Sequence, residues 1–449
     1  MRSSSLRRTG GFALLALLLV AALFAAGCGS SDDDGGGGSS AAAADAPAPA
    51  DTTSAGGAAT TSEPPAKAAT GDPIVIGTIC SCTGAVSSTT ATDPDTIQAW
   101  AKWTNAHGGI NGHPVKVIVK DDALNAGTTV KAAHELVEKD KVQAIVGETS
   151  NLDFLWAKYV QSKGVPVIGA ATFESVYEFN PMFFATGAQN PTMVYGTLAQ
   201  IKNAGKAKVG LMYCAESPSC AQYAALMTKV GKVLGGLDVV TNQKITATQP
   251  NYTAACLSAK SKGADALIIL HASAIVTRVT QSCAQQGFTP PQFNFSFTPG
   301  VDWQKDPNMQ GLLAISPNQS LWDDSVPATQ TYNKAMDQYA PGIKDRPEYN
   351  PSNASVWGAA EVFRVAAERG KVTPTSTPAA VLNGLYTFKD ETVDGLVPPL
   401  TYTKGKNNLV GCYFLSAIKD QKWTAPNGGK PVCVPDDVLP QLEALMARS

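Results

Sequence analysis

Ile74-Val75-Ile76-Gly77-Thr78-Ile79-Cys80 is an unbroken buried-strand run, and the elements on its C-terminal side decide the fold. A Thr/Ser-rich loop leads to Asp93-Pro94, an N-cap followed by proline at the first helical position. The helix expected over 94–107 carries Ile97, Trp100, Ala101 and Thr104 on one face, and Gly108-Gly109 stop it. A strand over 115–119, closed by Asp121-Asp122, comes next. Helices over 127–139 and 152–163 then alternate with strands over 142–146 and 165–170. Near-continuous apolar strands in this rhythm indicate α/β architecture, with a mostly parallel sheet covered by helices on both faces.

After Thr186-Gly187 the rhythm restarts. Helices are expected over 191–204, 221–234, 252–262 and 274–286, and strands over 209–213, 237–245, 266–270 and 292–297. The tail departs from the pattern. Helices over 329–339, 352–369 and 378–385 precede what reads as an antiparallel section, 400–402 and 410–418.

Outside these halves the N-terminus differs in kind. Arg2, Arg7 and Arg8 precede the uncharged run from Phe12 to Ala26, too short for a comfortable membrane span. Residues 1–27 therefore read as a signal peptide. Ala25-Ala26-Gly27-Cys28 resembles a bacterial lipobox, with Ala25 where Leu is preferred and Cys28 as the lipidated new N-terminus. The alternative is an ordinary signal peptide with an incidental Cys28. Residues 28–72 form the expected linker, and 29–72 hold no aromatic and no aliphatic larger than alanine. Such a segment cannot bury enough surface to offset its ordering entropy. As a flexible tether from a lipid anchor it would reach roughly 35–40 Å.

Of the 449 residues, 35 are Lys or Arg and 37 are Asp or Glu, giving a net charge of −2. That balance excludes a nucleic-acid partner held by a basic field. With Cys28 assigned to lipid, eight cysteines remain in an exported chain, an even number that favours disulfides over zinc. Proximity suggests Cys214 with Cys220, Cys256 with Cys283, and Cys412 with Cys433. Cys80 and Cys82 remain, either bonded to each other or as thiols or metal ligands.

No catalytic constellation emerges. The chain has no G-x-S-x-G elbow, Walker A loop or G-x-G-x-x-G fingerprint, and its four histidines are scattered. An enzyme is not expected, nor any cofactor. In open α/β sheets ligands bind beyond the carboxyl ends of the strands. There stand Ser150 and Asn151 before a helix expected to begin at Leu152, a seat for a small carboxylate or simply the helix cap. Phe173 can stack on a ligand or pack between the halves. Glu216 and His271 come just after two strands of the second half.

The series beginning at Ile74 resembles a known family. Thr83-Gly84 stands after the first strand, then Ala106-His107-Gly108-Gly109-Ile110-Asn111-Gly112-His113-Pro114-Val115. Val119-Lys120-Asp121-Asp122, Ile145-Val146-Gly147 and Gly164-Val165-Pro166-Val167-Ile168 continue in order, with Ala170-Ala171-Thr172 closing the run. Together they resemble type I periplasmic binding proteins, in the leucine/isoleucine/valine-binding branch of ABC-transporter substrate-binding lipoproteins.

The resemblance implies two lobes joined by a three-strand hinge. Lobe I would comprise 73–186 and 317–398, and lobe II 187–316 and 399–449. It places a carboxylate seat at Asn151, Ala170 and Thr172, with Asn151 where the family has serine. The acid that receives an ammonium would fall near Phe297 or Thr298, where none stands. The ligand is then not a standard α-amino acid, or it uses Glu148, Glu174 or Glu216 instead. The implied protein is an extracytoplasmic monomer anchored through Cys28. It would capture a small amino-acid-like, amide or carboxylate ligand by hinge closure and deliver it to an ABC permease. The alternative is a ligand sensor not coupled to transport.

Overall fold

The computed structural model describes residues 67–295, 299–322 and 326–446. Cys28, the signal peptide, most of the linker, Phe297 and Thr298 lie outside the described residues.

The first sheet is wholly parallel. Its strands are β1 (Ile74–Cys80), β2 (Val115–Asp121), β3 (Ile145–Val146), β4 (Val167–Gly169) and β5 (Phe183–Ala185), in the order β2-β1-β3-β4-β5. Register runs from Ile74 opposite Val115 to Cys80 opposite Asp121. Every β1 residue except Val75 is buried, as a strand covered on both faces requires. Ile76, Ile145 and Ile168 share a core with Trp100 from the helix Asp93–Ala106. Val356, Trp357 and Phe363 join that core from the distant helix Ser352–Arg369.

The glycine-rich turn before β2 has a physical reason. Gly109 sits at φ +67, and a Cβ there would strike the His113 carbonyl. Ile110 and His113 bridge across the turn. Asn111 Nδ2 donates to Ala367 O at 3.2 Å and to Val372 O at 3.0 Å, pinning the turn to the end of the helix Ser352–Arg369.

The second lobe holds β6 (Lys208–Cys214), β7 (Asp238–Ile245) and β8 (Ala266–Leu270), parallel in the order β7-β6-β8. Beside them run β9 (Phe293–Phe295), β10 (Leu313–Ser316), β11 (Cys412–Lys419) and β12 (Lys422–Thr424), in the order β12-β11-β10-β9. A bridge between Leu267 and Gln292 joins the two groups. β9 and β10 are parallel, whereas β11 and β12 are antiparallel to their neighbours. The short β13 (Val432–Cys433) also pairs with β11.

Three crossovers link the lobes and are laced by side chains. Asn318 Nδ2 donates to Thr186 O at 2.7 Å, and Ser355 Oγ donates to Asn318 Oδ1 at 2.8 Å. Gln189 Nε2 donates to Asn408 O at 3.2 Å, while Gln189 Oε1 accepts from Val410 N–H at 2.8 Å.

Among the described residues four disulfides are present: Cys80–Cys82, Cys214–Cys220, Cys256–Cys283 and Cys412–Cys433. Among the described residues no helix is long and apolar enough to cross a membrane.

Several expected elements differ: the helix over 127–139 is α-helical over Ala126–His134 and closes in the π-turn Glu135–Lys139, and the strand over 142–146 pairs only at Ile145–Val146. No helix begins at Leu152: Asp153–Leu155 is a 3₁₀ turn, and the α-helix starts at Ala157. Ser150 Oγ accepts Leu152 N–H at 3.1 Å while itself donating to Asp122 Oδ2 at 2.6 Å. Trp156 Nε1 is tied to Thr129 Oγ1 at 3.1 Å, so the chain tightens before it can turn helical. The strand expected over 400–402 is a single bridge from Leu400 to Glu391. Tyr402 instead turns its hydroxyl onto Ala185 O at 2.8 Å.

Candidate functional site

A cavity of about 130 Å³ lies where the carboxyl ends of β1, β3, β4, β6, β8 and β9 converge. The first lobe contributes Ala85, Val86, Thr89 and Thr90, together with Leu124, Thr149, Asn151, Phe173 and Ser352. The second contributes Cys214 to Tyr223 in part, then Leu270, His271, Ala272 and Phe295. The Cys214–Cys220 disulfide ties the end of β6 to the helix Pro218–Leu234 in that wall. Tyr223 from this helix stacks on Phe295, ring centroids 4.0 Å apart and planes within 10°.

Of the residues singled out from sequence, Asn151, Phe173, Glu216 and His271 line the cavity. Ser150, Ala170 and Thr172 are buried and do not line it. Ser150 faces Asp122, and Thr172 Oγ1 donates to Ala188 O at 2.9 Å, supporting the hinge. Of Glu148, Glu174 and Glu216, considered as substitutes for the missing acid, only Glu216 lines the cavity. The sequence reading missed the short helix Ser87–Thr90, Tyr223 and Phe295. A four-residue helix leaves no periodic signal, whereas Phe295 at the end of a strand could have been found by the rule that located His271.

Glu216 comes just after β6. Its carboxylate accepts Ala247 N–H at 2.7 Å on Oε1 and Ala215 N–H at 3.0 Å on Oε2. His271 Nε2 lies 3.2 Å from Glu216 Oε2. His271 Nδ1 accepts from Ala272 N–H at 2.9 Å, which leaves the proton of the neutral ring on Nε2, toward Glu216. Burial lowers the His271 pKa, and the neighbouring carboxylate only partly offsets this.

Five acids are buried in the first lobe, Asp93, Asp122, Glu148, Asp153 and Glu174, and Asp93 accepts from the cavity-lining Ser352 Oγ at 2.8 Å. Asp122 accepts from Ser81 Oγ at 2.8 Å and from Ser150 Oγ. Glu148 accepts from the Tyr177 hydroxyl, and from Ser150 N–H at 3.1 Å. Glu174 reaches the other lobe, accepting Ser219 Oγ at 2.8 Å. Burial pushes Glu148 and Glu174 up to about 8. Asp153 is raised as well, by burial and then by the charges of Glu148 and Glu174. Among the described residues no three His, Cys, Asp or Glu converge as a metal site.

The periplasmic binding protein family matches residues 73–422, and the chain belongs to it. The fold is the two-lobed type I form of that family. Solved structures agree at the level of fold. One is of a branched-chain amino acid ABC transporter protein from Thermus thermophilus with bound valine. It is 16% identical, with a TM-score of 0.72, over 84% of this chain and 99% of that one. A leucine binding protein from Thermotoga maritima is 16% identical, with a TM-score of 0.64, over 81% and 99%. A solute-binding protein of an ABC transporter from Rhodopseudomonas palustris, in complex with benzoate, is 13% identical. Its TM-score is 0.66, over 81% and 98%.

Proposed function

We propose that the chain is the solute-binding component of an ABC importer, catching a small solute between its lobes and presenting it to a permease. The cavity carries this reading. It lies at the strand ends, it is lined from both lobes, and its wall combines aromatic faces with one carboxylate–imidazole pair. An apolar cavity of about 150 Å³ admits one benzene ring, so this one suits about six non-hydrogen atoms. The relatives from T. thermophilus and R. palustris hold valine and benzoate, solutes a few atoms larger than that. Closure would shift an existing open–closed equilibrium by the solute's differential affinity for the closed form.

The lobe bounds 73–186 with 317–398 and 187–316 with 399–449 are part of this reading. The membership of the hydrophobic cores supports them except past 398, where Leu400 and Val410 still pack in the core of the first lobe. So is the location, outside the cytoplasmic membrane as a monomer lipidated on Cys28; a Cys28→Ala variant released from the membrane fraction would support that anchor.

The decisive experiment is native mass spectrometry of the purified chain, paired with small-angle scattering before and after the co-purified solute is removed. A bound small molecule whose removal expands the particle is the expected result. A chain that carries no solute and keeps one radius of gyration would overturn the reading.

A further inference from the structure

The ends of β6 and β8 set a hydrogen-bond acceptor and a donor side by side in the cavity wall. Glu216 follows β6, and its Oε1 and Oε2 are held by the N–H groups of Ala247 and Ala215. A carboxylate oxygen has two lone pairs, so Oε2 keeps room for a second donor. His271 follows β8, and its Nε2 lies 3.2 Å from that oxygen. Ala272 N–H donates to Nδ1, so the proton of the neutral ring stands on Nε2. That N–H is misaligned with the carboxylate: Nε2 is buried with no hydrogen-bond partner among the described residues. The His271 side chain is only 4% exposed, and a buried donor without an acceptor is unfavourable. Both residues line the cavity, so the acceptor that His271 lacks can come from the solute.

A donor beside an acceptor is the pattern that a primary amide meets at two points, as asparagine and glutamine do on the edge of adenine. The amide oxygen accepts from the imidazole, and an amide N–H donates to the carboxylate. A carboxylate in the same seat sets a second negative charge against Glu216, and an ammonium leaves the imidazole N–H unanswered. Asn151 and Thr89 also line the cavity and carry side-chain donors of their own, which makes the matched acid the rival solute.

We propose that the cavity takes a small aliphatic primary carboxamide, its oxygen on His271 Nε2–H, its nitrogen on Glu216 Oε2 and its hydrocarbon part beside Phe173, Tyr223 and Phe295. This rests on the solute-binding reading of the same cavity. Burial lowers the His271 pKa, which keeps the ring neutral and the order of donor and acceptor fixed.

Titration calorimetry on the solute-free full chain tests it with isobutyramide, which has about the size the cavity admits. The comparison ligands are isobutyrate, isobutylamine and methyl isopropyl ketone, which keeps the oxygen and lacks the N–H. The amide is expected to bind about tenfold or more tightly than each. His271→Phe should weaken amide binding about tenfold while circular dichroism stays unchanged. His271→Gln, which keeps a donor, should retain part of the affinity, and Glu216→Gln should narrow the gap between amide and ketone. An acid, amine or ketone that equals the amide would overturn the proposal. So would amide binding indifferent to His271→Phe, a gap unmoved by Glu216→Gln, or silence toward the amide at millimolar concentration. Such a failure is distinct from failure of solute binding itself, which the co-purified molecule and the scattering measurement decide.

Discussion

Ser219 Oγ donates to Glu174 Oε2 at 2.8 Å, and this bond joins the loop after β4 to the first turn of the helix Pro218–Leu234 in the opposite lobe. The other Glu174 oxygen has no hydrogen-bond partner among the described residues. The contact acts as a clasp between the lobes beside the cavity.

Ser219→Ala should loosen that clasp. Leaving the buried Glu174 carboxyl without its partner costs about 1–3 kcal/mol. Because the bond joins the two lobes, its loss should lower affinity for the co-purified solute by about 5- to 150-fold. Calorimetry reads this directly. An unchanged dissociation constant would mean the clasp does not contribute to closure.

Stability should decline as pH rises toward 8. The native pKa of Glu148 and of Glu174, about 8, lies above the ordinary 4.5 of the unfolded chain. Between those values the folded state binds more protons, so the contribution is whole below about pH 4.5. It is lost progressively as pH rises through the folded value. The urea midpoint, followed from acid to mildly alkaline pH, should fall, and Glu148→Gln should flatten part of that slope.

Gly169→Ala should be poorly tolerated. A Cβ at Gly169 would overlap the Tyr177 hydroxyl, the group that donates to Glu148. Overpacking of this kind costs about 1–3 kcal/mol, and displacing Tyr177 also strips a partner from a buried carboxyl. Thermal denaturation should show a fall of several degrees.

The disulfides should divide by position. Cys256–Cys283 closes a sequence separation of 27 away from the cavity wall. A Cys256→Ser/Cys283→Ser variant should lose about 3 kcal/mol in unfolding and keep its solute affinity. Cys214 and Cys220 line the cavity, so the matching double variant should lose affinity as well. Urea unfolding and calorimetry on the two variants separate these effects.

Much of the architecture was legible because it rests on periodicity. β1, β8 and the helix Ser352–Arg369 are long, uniform apolar patterns, and their bounds come from the residues themselves. β5 and β10, with three and four residues, are strands only because neighbours offer hydrogen bonds. The site was legible in outline, since strand ends and loop chemistry pointed to Asn151, Phe173, Glu216 and His271. The inward turn of Ser150 and Thr172 was not. Whether a hydroxyl faces a cavity, a buried acid or a backbone carbonyl depends on partners 28 residues away for Ser150 and 16 for Thr172. No local spacing encodes that choice.

The three laced crossovers have a consequence for how the chain is made. The core under the first sheet needs Val356, Trp357 and Phe363, which are synthesised after the whole stretch from β6 to β10. Neither lobe is a contiguous segment, so the order of synthesis is not the order of folding. The first lobe must wait, with its apolar strands uncovered, for a helix more than halfway further along the polypeptide. Domains that are contiguous fold N-terminal first as they emerge. A chain woven this way suits passage through a membrane pore while still unfolded, because little of it can lock into final form before its C-terminal third arrives.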